Sequence, residues 1–341
     1  MSLKKLLLKA GINRENTRYT NEGRWFDCDK IRFRQGTPEK IGGWSRISTA
    51  SYLGIARSLW NWITLQNQNF IAVGTNLKYY IERGGAYNDI TPLRQSFTST
   101  DTDNCFETTD GSTIVVVNIT SHGAEEGDFV TFSGSTAVGG VPAEELNTNH
   151  QVTLIDADSF SITVTTAASS TVAAGGGTGI TAAFEIHIGP AITVPLVGWG
   201  SSTWGAGAWG IGESSDDSLR LWSQSNFGED LVFGPRGGGI YYWDASVGLG
   251  TRATLLSALG GASNVPTIQN YILISDISRF VFCFGANELG GSTLDPMLVR
   301  WSDQENAANW TPAATNQAGS LRLSRGTEII TAKQCRQEVL V

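Results

Sequence analysis

Three times in this chain a short apolar strand ends in glycine or a tight turn and is followed by another strand, and this recurrence limits the fold more than any other feature. The first copy spans Arg57 to Leu93, with SLWNWI, NFIAVG and LKYYIE as strands. The second spans Arg220 to Leu255, with LRLWSQ, DLVFG and GIYYWD. These two share Gly74 or Gly234 at the end of the second strand, then paired tyrosines, Tyr79 and Tyr80 or Tyr241 and Tyr242. A looser third copy, YILIS, RFVFCFG and MLVRWSD, lies between Tyr271 and Asp303, and a fourth is expected to start at Glu328. Apolar runs of this length bounded by turn residues read as strands. Units of three or four antiparallel strands at this period read as blades of a β-propeller. A propeller hides its edge strands by closing on itself. Three and a fraction copies are too few to close, so the expectation is an incomplete set of blades, the last strand pattern being cut at Val341.

The repeat is interrupted once. From Gln95 to Leu219 there is no Lys or Arg, but there are fifteen acids: Asp101, Asp103, Glu107, Asp110, Glu125, Glu126, Asp128, Glu144, Glu145, Asp156, Asp158, Glu185, Glu213, Asp216 and Asp217. Folded surfaces usually mix charge signs. This stretch is also β in pattern. STIVVVNI and DFVTFSG read as strands joined by a turn around His122, Gly123 and Gly127, and QVTLID and SFSITVT as strands joined at Ala157 and Asp158. In residues 180–188, Ile180, Ala182, Phe184, Ile186 and Ile188 alternate with Thr181, Glu185 and His187, a half-buried strand. AASSTVAAGGGTG reads as a flexible surface loop.

The fold expected is therefore all-β: propeller-like repeats with an inserted small β-sandwich or barrel. Residues 1–50 form an N-terminal basic arm, 51–94 and 191–341 the propeller-like body, and 95–190 the acidic insert. Charge follows this division. Residues 1–50 carry eleven Lys/Arg and five Asp/Glu, whereas residues 51–341 carry 13 against 27. A nucleic-acid reader needs a cationic face, so the acidic body argues against that class. Within the arm, Ile31 and Phe33 alternate with Arg32 and Arg34, QGTPE turns, and the chain returns through Lys40 and Ile41. This is a β-hairpin with one basic face, and Arg24, Lys30, Arg32, Arg34 and Lys40 form its candidate assembly surface.

No motif carries chemistry. Cys28, Cys105, Cys283 and Cys335 are far apart and form no C-x-x-C, which reads as reduced thiols rather than disulfides or a zinc site. MSLKKLLLKAG has too short an apolar run for a signal peptide, and no segment approaches about 18 apolar residues. GAGAWG (Gly205 to Gly210) matches G-x-G-x-x-G, but acidic, loop-like residues follow it where a helix should start. DTDN at Asp101 and DADS at Asp156 read as turns, since calcium needs more oxygen ligands. WSDQENAANW has the ingredients of a sialidase-type Asp-box without its spacing or its central glycine. The histidines, His122, His150 and His187, sit in no triad or zincin motif. No catalytic residue, cofactor, metal or small-molecule substrate is expected. Trp199, Trp204 and Trp209 recur every five residues, a spacing that fits neither a strand nor a helix face. They read as loop packing, a subunit interface or a glycan contact.

The run GINRENTRYTNEGRWFDCDKIRFRQGTPEKIGGW, Gly11 to Trp44, resembles the start of the tail nozzle, or DNA-stabilisation, proteins of short-tailed bacteriophages. The resemblance continues through LWNWITLQNQNFIAVGTNLKYY, the GWG…TWG…WG stretch and LWSQSNFGEDLVF. It implies a structural virion protein that assembles as a ring, six-fold, below the portal and adaptor, beside tail fibres or spikes. It also implies assembly in the bacterial cytoplasm, a place in the virion tail, and contact with double-stranded DNA only while the genome is retained and ejected. An acidic wall suits such a conduit, because each phosphate held by Lys or Arg adds a salt-dependent grip. The alternative class is a glycan-binding or glycan-cleaving propeller, receptor-binding or sialidase-like, motivated by the three tryptophans. A further option is an adhesion role for the acidic insert on a structural body.

Overall fold

The computed structural model describes residues 8–192 and 219–341, apart from Asn16, Trp44, Ile47 and Gln337. The chain divides into two units, Met1–Thr49 and Ala50–Val341. In the first, Ile12 and Trp25 form a parallel bridge, and Arg14 closes on Asp27 at 2.6 Å. Strands β1 (Ile31–Arg34) and β2 (Thr37–Lys40) make a hairpin. Its turn is only Gln35–Gly36, both at positive φ, so Thr37–Glu39 belong to the strand rather than to a longer turn.

The second unit is almost entirely antiparallel sheet, with propeller-like blades and an inserted sandwich. Blade 1 runs β3 (Ala56–Ile63), β4 (Asn69–Thr75), β5 (Tyr79–Arg83), β6 (Ala86–Asp89), in that order across the sheet. The insert follows: β7 (Leu93–Thr98), β8 (Phe106–Thr108), β9 (Ile114–Asn118), β10 (Phe129–Ser133), the one-turn helix α1 (Ala143–Leu146), β11 (Asn149–Gln151), β12 (Thr153–Leu154), β13 (Ser159–Thr163), β14 (Val172–Gly175) and β15 (Thr181–Glu185). Blade 2 is β16 (Trp222–Phe227), β17 (Asp230–Pro235), β18 (Tyr241–Trp243), β19 (Thr254–Leu255). Blade 3 is β20 (Gln269–Ile274), β21 (Val281–Asn287), β22 (Leu294–Trp301), β23 (Gly319–Arg322). The short hairpin β24 (Lys333–Gln334) and β25 (Val339–Leu340) comes last.

The blades stack face to face because blades 2 and 3 are apolar on both sides and blade 1 on the side that meets blade 2. Phe70, Ala72, Tyr79 and Ile81 of blade 1 share a core with Leu231, Phe233 and Trp243 of blade 2. Val232 and Ile240 share the next core with Ile272, Ile274, Val281 and Cys283 of blade 3. The first strands converge, β16 lying against both β3 and β20. Gly74 and Gly234 mark these close approaches. A Cβ on Gly74 would stand 2.6 Å from Trp222 of the next blade, and one on Gly234 would stand 3.0 Å from Ile272 of the blade after it. Trp222 then donates its indole N–H to Thr75 O at 2.7 Å, and Ile272 N donates to Ser223 Oγ at 3.0 Å.

Residues 328–341 do not open a fourth blade. β24 and β25 pair only with each other. Ile329, Ala332 and Val339 instead lie on the far face of blade 3, against Phe284, Met297 and Val299.

The insert is a sandwich of sheets β11-β10-β15-β7 and β12-β13-β9-β8-β14. Val115, Val117, Phe160 and Ile162 from one sheet and Val130, Phe132, Ala182 and Phe184 from the other fill a single core. Two expectations change here. STIVVVNI and DFVTFSG are not a hairpin, since β9 and β10 lie in opposite sheets and the turn through His122 crosses between them. The Ala/Gly/Ser stretch is not only loop, because Val172–Gly175 forms β14 and pairs with β8.

Candidate functional site

Glu185 of the acidic insert takes its countercharges from the blades. At the junction, Lys78, Asp89, Asn149, Glu185 and Arg252 meet in one cluster. Each is brought there by local structure. Lys78 ends the β4–β5 turn, where Thr75 Oγ1 accepts Lys78 N at 2.8 Å and Thr75 N donates to Lys78 O at 2.8 Å. Asp89 ends β6, and its Oδ1 accepts both the N–H of Thr91 at 2.9 Å and its hydroxyl. Glu185 closes β15 where the register against β7 shifts. That irregularity breaks the alternation after Phe184 and leaves Glu185 1% exposed. Asn149 opens β11, and Arg252 precedes β19 in blade 2.

Lys78 Nζ lies 2.8 Å from Glu185 Oε1, 2.9 Å from Asp89 Oδ2 and 3.1 Å from Asn149 Oδ1. Asn149 Nδ2 donates to Glu185 Oε1 at 2.9 Å. Arg252 reaches Glu185 Oε1 at 2.8 Å and Thr91 O at 2.8 Å. The ring of Phe129 covers Lys78 Nζ at 4.5 Å, a cation–π contact. Two cations thus face two carboxylates in a largely dry junction, where opposite charges hold one another in place. Burial pushes the Asp89 carboxyl up, but Lys78, Arg252 and the Thr91 hydroxyl outweigh it and hold it below its ordinary value.

A second polar knot lies beside the junction. Asp128 is buried, and its carboxylate accepts from His187 Nδ1 at 2.8 Å, Glu125 N at 2.9 Å and Ile188 N at 3.1 Å. Burial raises this carboxyl, and those three donors together bring it below the usual range. Other acids of the insert also serve backbone N–H groups. Asp103 accepts from Gly179, Glu126 from Leu154, Asp156 from Asp158, Asp158 from Ser121, and Glu145 from Thr165 and Thr166. These carboxylates work as loop caps, replacing water at N–H groups that the sandwich leaves unpaired. Asp156 sits at the β12–β13 turn, as DADS suggested.

The basic arm residues do not share one face. In the hairpin Arg32 stands opposite Glu39 and Arg34 opposite Thr37, while Lys40 stands opposite Ile31 on the other side. Arg32 is bonded to Glu39 at 3.3 Å. Lys30 is at φ 56°, 3.7 Å from Asp29, and Arg24 lies in the preceding turn, its N–H on Asn21 O at 2.9 Å. Trp199, Trp204 and Trp209 lie outside the described residues, as do Glu213, Asp216, Asp217 and GAGAWG. Sequence reasoning missed the junction because Glu185 alternates with buried residues and so reads as solvent-facing. The available signal was chemical: an acid in a segment without Lys or Arg must find its cation elsewhere in the chain.

No protein-family model matches the sequence, and no curated protein matches it. Among solved structures the chain is similar to phage phi92 endosialidase, at 15% identity and a TM-score of 0.23, over 87% of this chain and 41% of that one. The chain spans less than half of that protein's length, and at this score no role passes from one to the other.

Proposed function

We propose that the chain is a structural subunit of a bacteriophage tail, of the nozzle type, that joins a ring below the portal and adaptor and lines the path of the genome. One observation carries the reading on the structural side: the buried charged groups at the junction are spent on mounting. Lys78, Glu185, Asp89 and Arg252 fasten the sandwich to two blades, each engaged by partners in a neighbouring sheet. The resemblance of Gly11 to Trp44 to nozzle proteins supplies the tail. The lack of Lys and Arg in the insert after Arg94 suits a part that lies near DNA without gripping it, since each neutralised phosphate would add a salt-dependent hold. Its acids need no electrostatic task of their own, because many of them cap loops.

The test is negative-stain imaging of the purified full-length protein, alone and mixed with a portal–adaptor complex. Rings with a central channel stacked on the adaptor are expected. Monomers that ignore the adaptor would sink the proposal, and a glycan array with a hydrolysis readout would then examine the carbohydrate-recognising class.

A further inference from the structure

The junction has the geometry of a reactive site as well as of an ion cluster. Lys78 Nζ, the side-chain amide of Asn149 and the carboxylate of Glu185 are mutually in hydrogen-bond contact, at 3.1, 2.8 and 2.9 Å. Glu185 is buried, Lys78 is 2% exposed, and an aromatic ring lies over the amine. Among the described residues, Glu185 Oε2 is buried with no hydrogen-bond partner, a free acceptor inside an otherwise paired cluster. A buried unpaired carboxylate oxygen is costly and calls for a role.

We infer that Lys78 and Asn149 form an intramolecular isopeptide bond, with Glu185 as the proton carrier. The step balances without any co-reactant. Lys78 Nζ passes a proton to the Glu185 carboxylate, and its freed lone pair attacks Asn149 Cγ. Glu185 returns the proton to Nδ2, to which it is already bonded. The attacking nitrogen gives its second proton to Glu185 as the Cγ–Nδ2 bond breaks, ammonia carries that proton away as ammonium, and an Nζ–Cγ amide remains. No group is oxidised or reduced. Lys78 Nζ is held 3.1 Å from Asn149 Oδ1, one bond from the carbon it would attack, and such proximity replaces a bimolecular encounter. A carboxylate in contact with both nucleophile and leaving group is placed for general acid–base work. The residue carrying Asn149 is exposed, so ammonia has a way out.

Asp89 also touches the amine, but it is the poorer electrophile. Lys78 and Arg252 keep it ionised, and a carboxylate anion resists attack at carbon. Arg252 stays beside Glu185 and Asp89 after the lysine charge has gone, so the two carboxylates keep a cation. The bond would tie the β4–β5 turn of blade 1 to β11 of the insert, making the mount covalent.

Intact mass spectrometry of the purified full chain under denaturing conditions tests this, followed by peptide mapping. The expected result is a mass lower by one ammonia and a branched peptide joining Lys78 to Asn149. Lys78→Met, Glu185→Gln and Asn149→Ala are each expected to restore the unmodified mass. Asn149→Ala alters an exposed side chain, so it keeps the test informative if a buried variant does not fold. An unmodified wild-type mass would overturn the inference. So would loss of one water with a Lys78–Asp89 branch, or loss of ammonia with no branched peptide. The outcome does not depend on the ring or the adaptor.

Discussion

Lys78 Nζ sits 2.8 Å from Glu185 Oε1, a contact between a blade turn and the last strand of a sandwich inserted after that blade. Both side chains are almost fully buried, at 3% and 1% exposure. Buried pairs of this kind stabilise little over an apolar substitute, but removing one partner strands the other. The junction therefore fixes where the insert sits more than it adds to stability.

In an Asn149→Ala background, where Lys78 keeps its charge, Glu185→Ala is expected to lower the unfolding free energy by about 3–5 kcal/mol, because Lys78 and Arg252 are left with Asp89 alone. In that background Lys78→Met with Glu185→Leu should lie closer to the parent than Glu185→Ala does. Urea unfolding of the three proteins checks the order. A Glu185→Ala variant that is no less stable than the parent would remove the ion pair from the account.

Gly74 and Gly234 give a second prediction. Each stands where the first strand of the following blade crosses closely, and a methyl group at Gly74 would meet Ser58 Oγ at 2.5 Å as well as Trp222. Gly74→Ala and Gly234→Ala should each cost about 1–3 kcal/mol by overpacking. Gly250→Ala, with open space around it, should stay within about 0.5 kcal/mol of wild type. Thermal unfolding midpoints of the three variants decide the matter.

The blades were readable because period-two alternation and turn glycines announce strands directly, and Gly74 and Gly234 were visible as punctuation. Why glycine is needed there was not readable, since Trp222 and Ile272 approach from other blades. The sandwich pairing was also hidden. β9 and β10 are separated by a turn that suits a hairpin, and only the shared core of Val117, Phe132 and Phe160 sends them to opposite sheets. Glu185 reads as a solvent-side residue of an alternating strand, and Lys78 only as part of the strand LKYYIE. Nothing local in either segment announces a partner 107 positions away.

Acid should weaken the insert through Glu145. Hydrogen bonds from the Thr166 hydroxyl and N–H, with those of Thr165, hold its carboxyl down to about 2 from an ordinary 4.5. A carboxyl lowered in the folded state contributes stability that is complete above its unfolded value and is lost as pH falls through the folded one. The loss should therefore run from about pH 4.5 to about pH 2. Glu145→Gln should flatten that limb in unfolding midpoints measured against pH. An unchanged acid limb would assign it to other carboxylates, Asp128 first.

Thiol labelling should separate Cys335 from Cys105 and Cys283. Cys335 is exposed and should react in the native protein. Burial pushes the Cys105 thiol up to about 12 and that of Cys283 higher still, so the reactive thiolate is scarce as well as hidden. Both should label only on unfolding, as a slow phase in a native labelling time course. Prompt reaction at Cys283 would mean that blades 2 and 3 do not hold the core that surrounds it.

The hairpin supplies the test of docking. Reversing Arg32 would set two acids opposite one another, since Glu39 is its cross-strand partner, and like charges in that position destabilise a hairpin. Loss of adaptor binding in Arg32→Glu would thus confuse a broken contact with a broken hairpin. Arg34 faces Thr37, so its reversal leaves the pairing intact. Under the nozzle reading, Arg34→Glu is expected to weaken binding to a portal–adaptor complex and to flatten its loss with added salt, with the circular dichroism spectrum unchanged. Binding equal to wild type at low salt would make the strand face merely solvated. The assembly surface would then have to be sought on the opposite face, around Lys40 and Ile31.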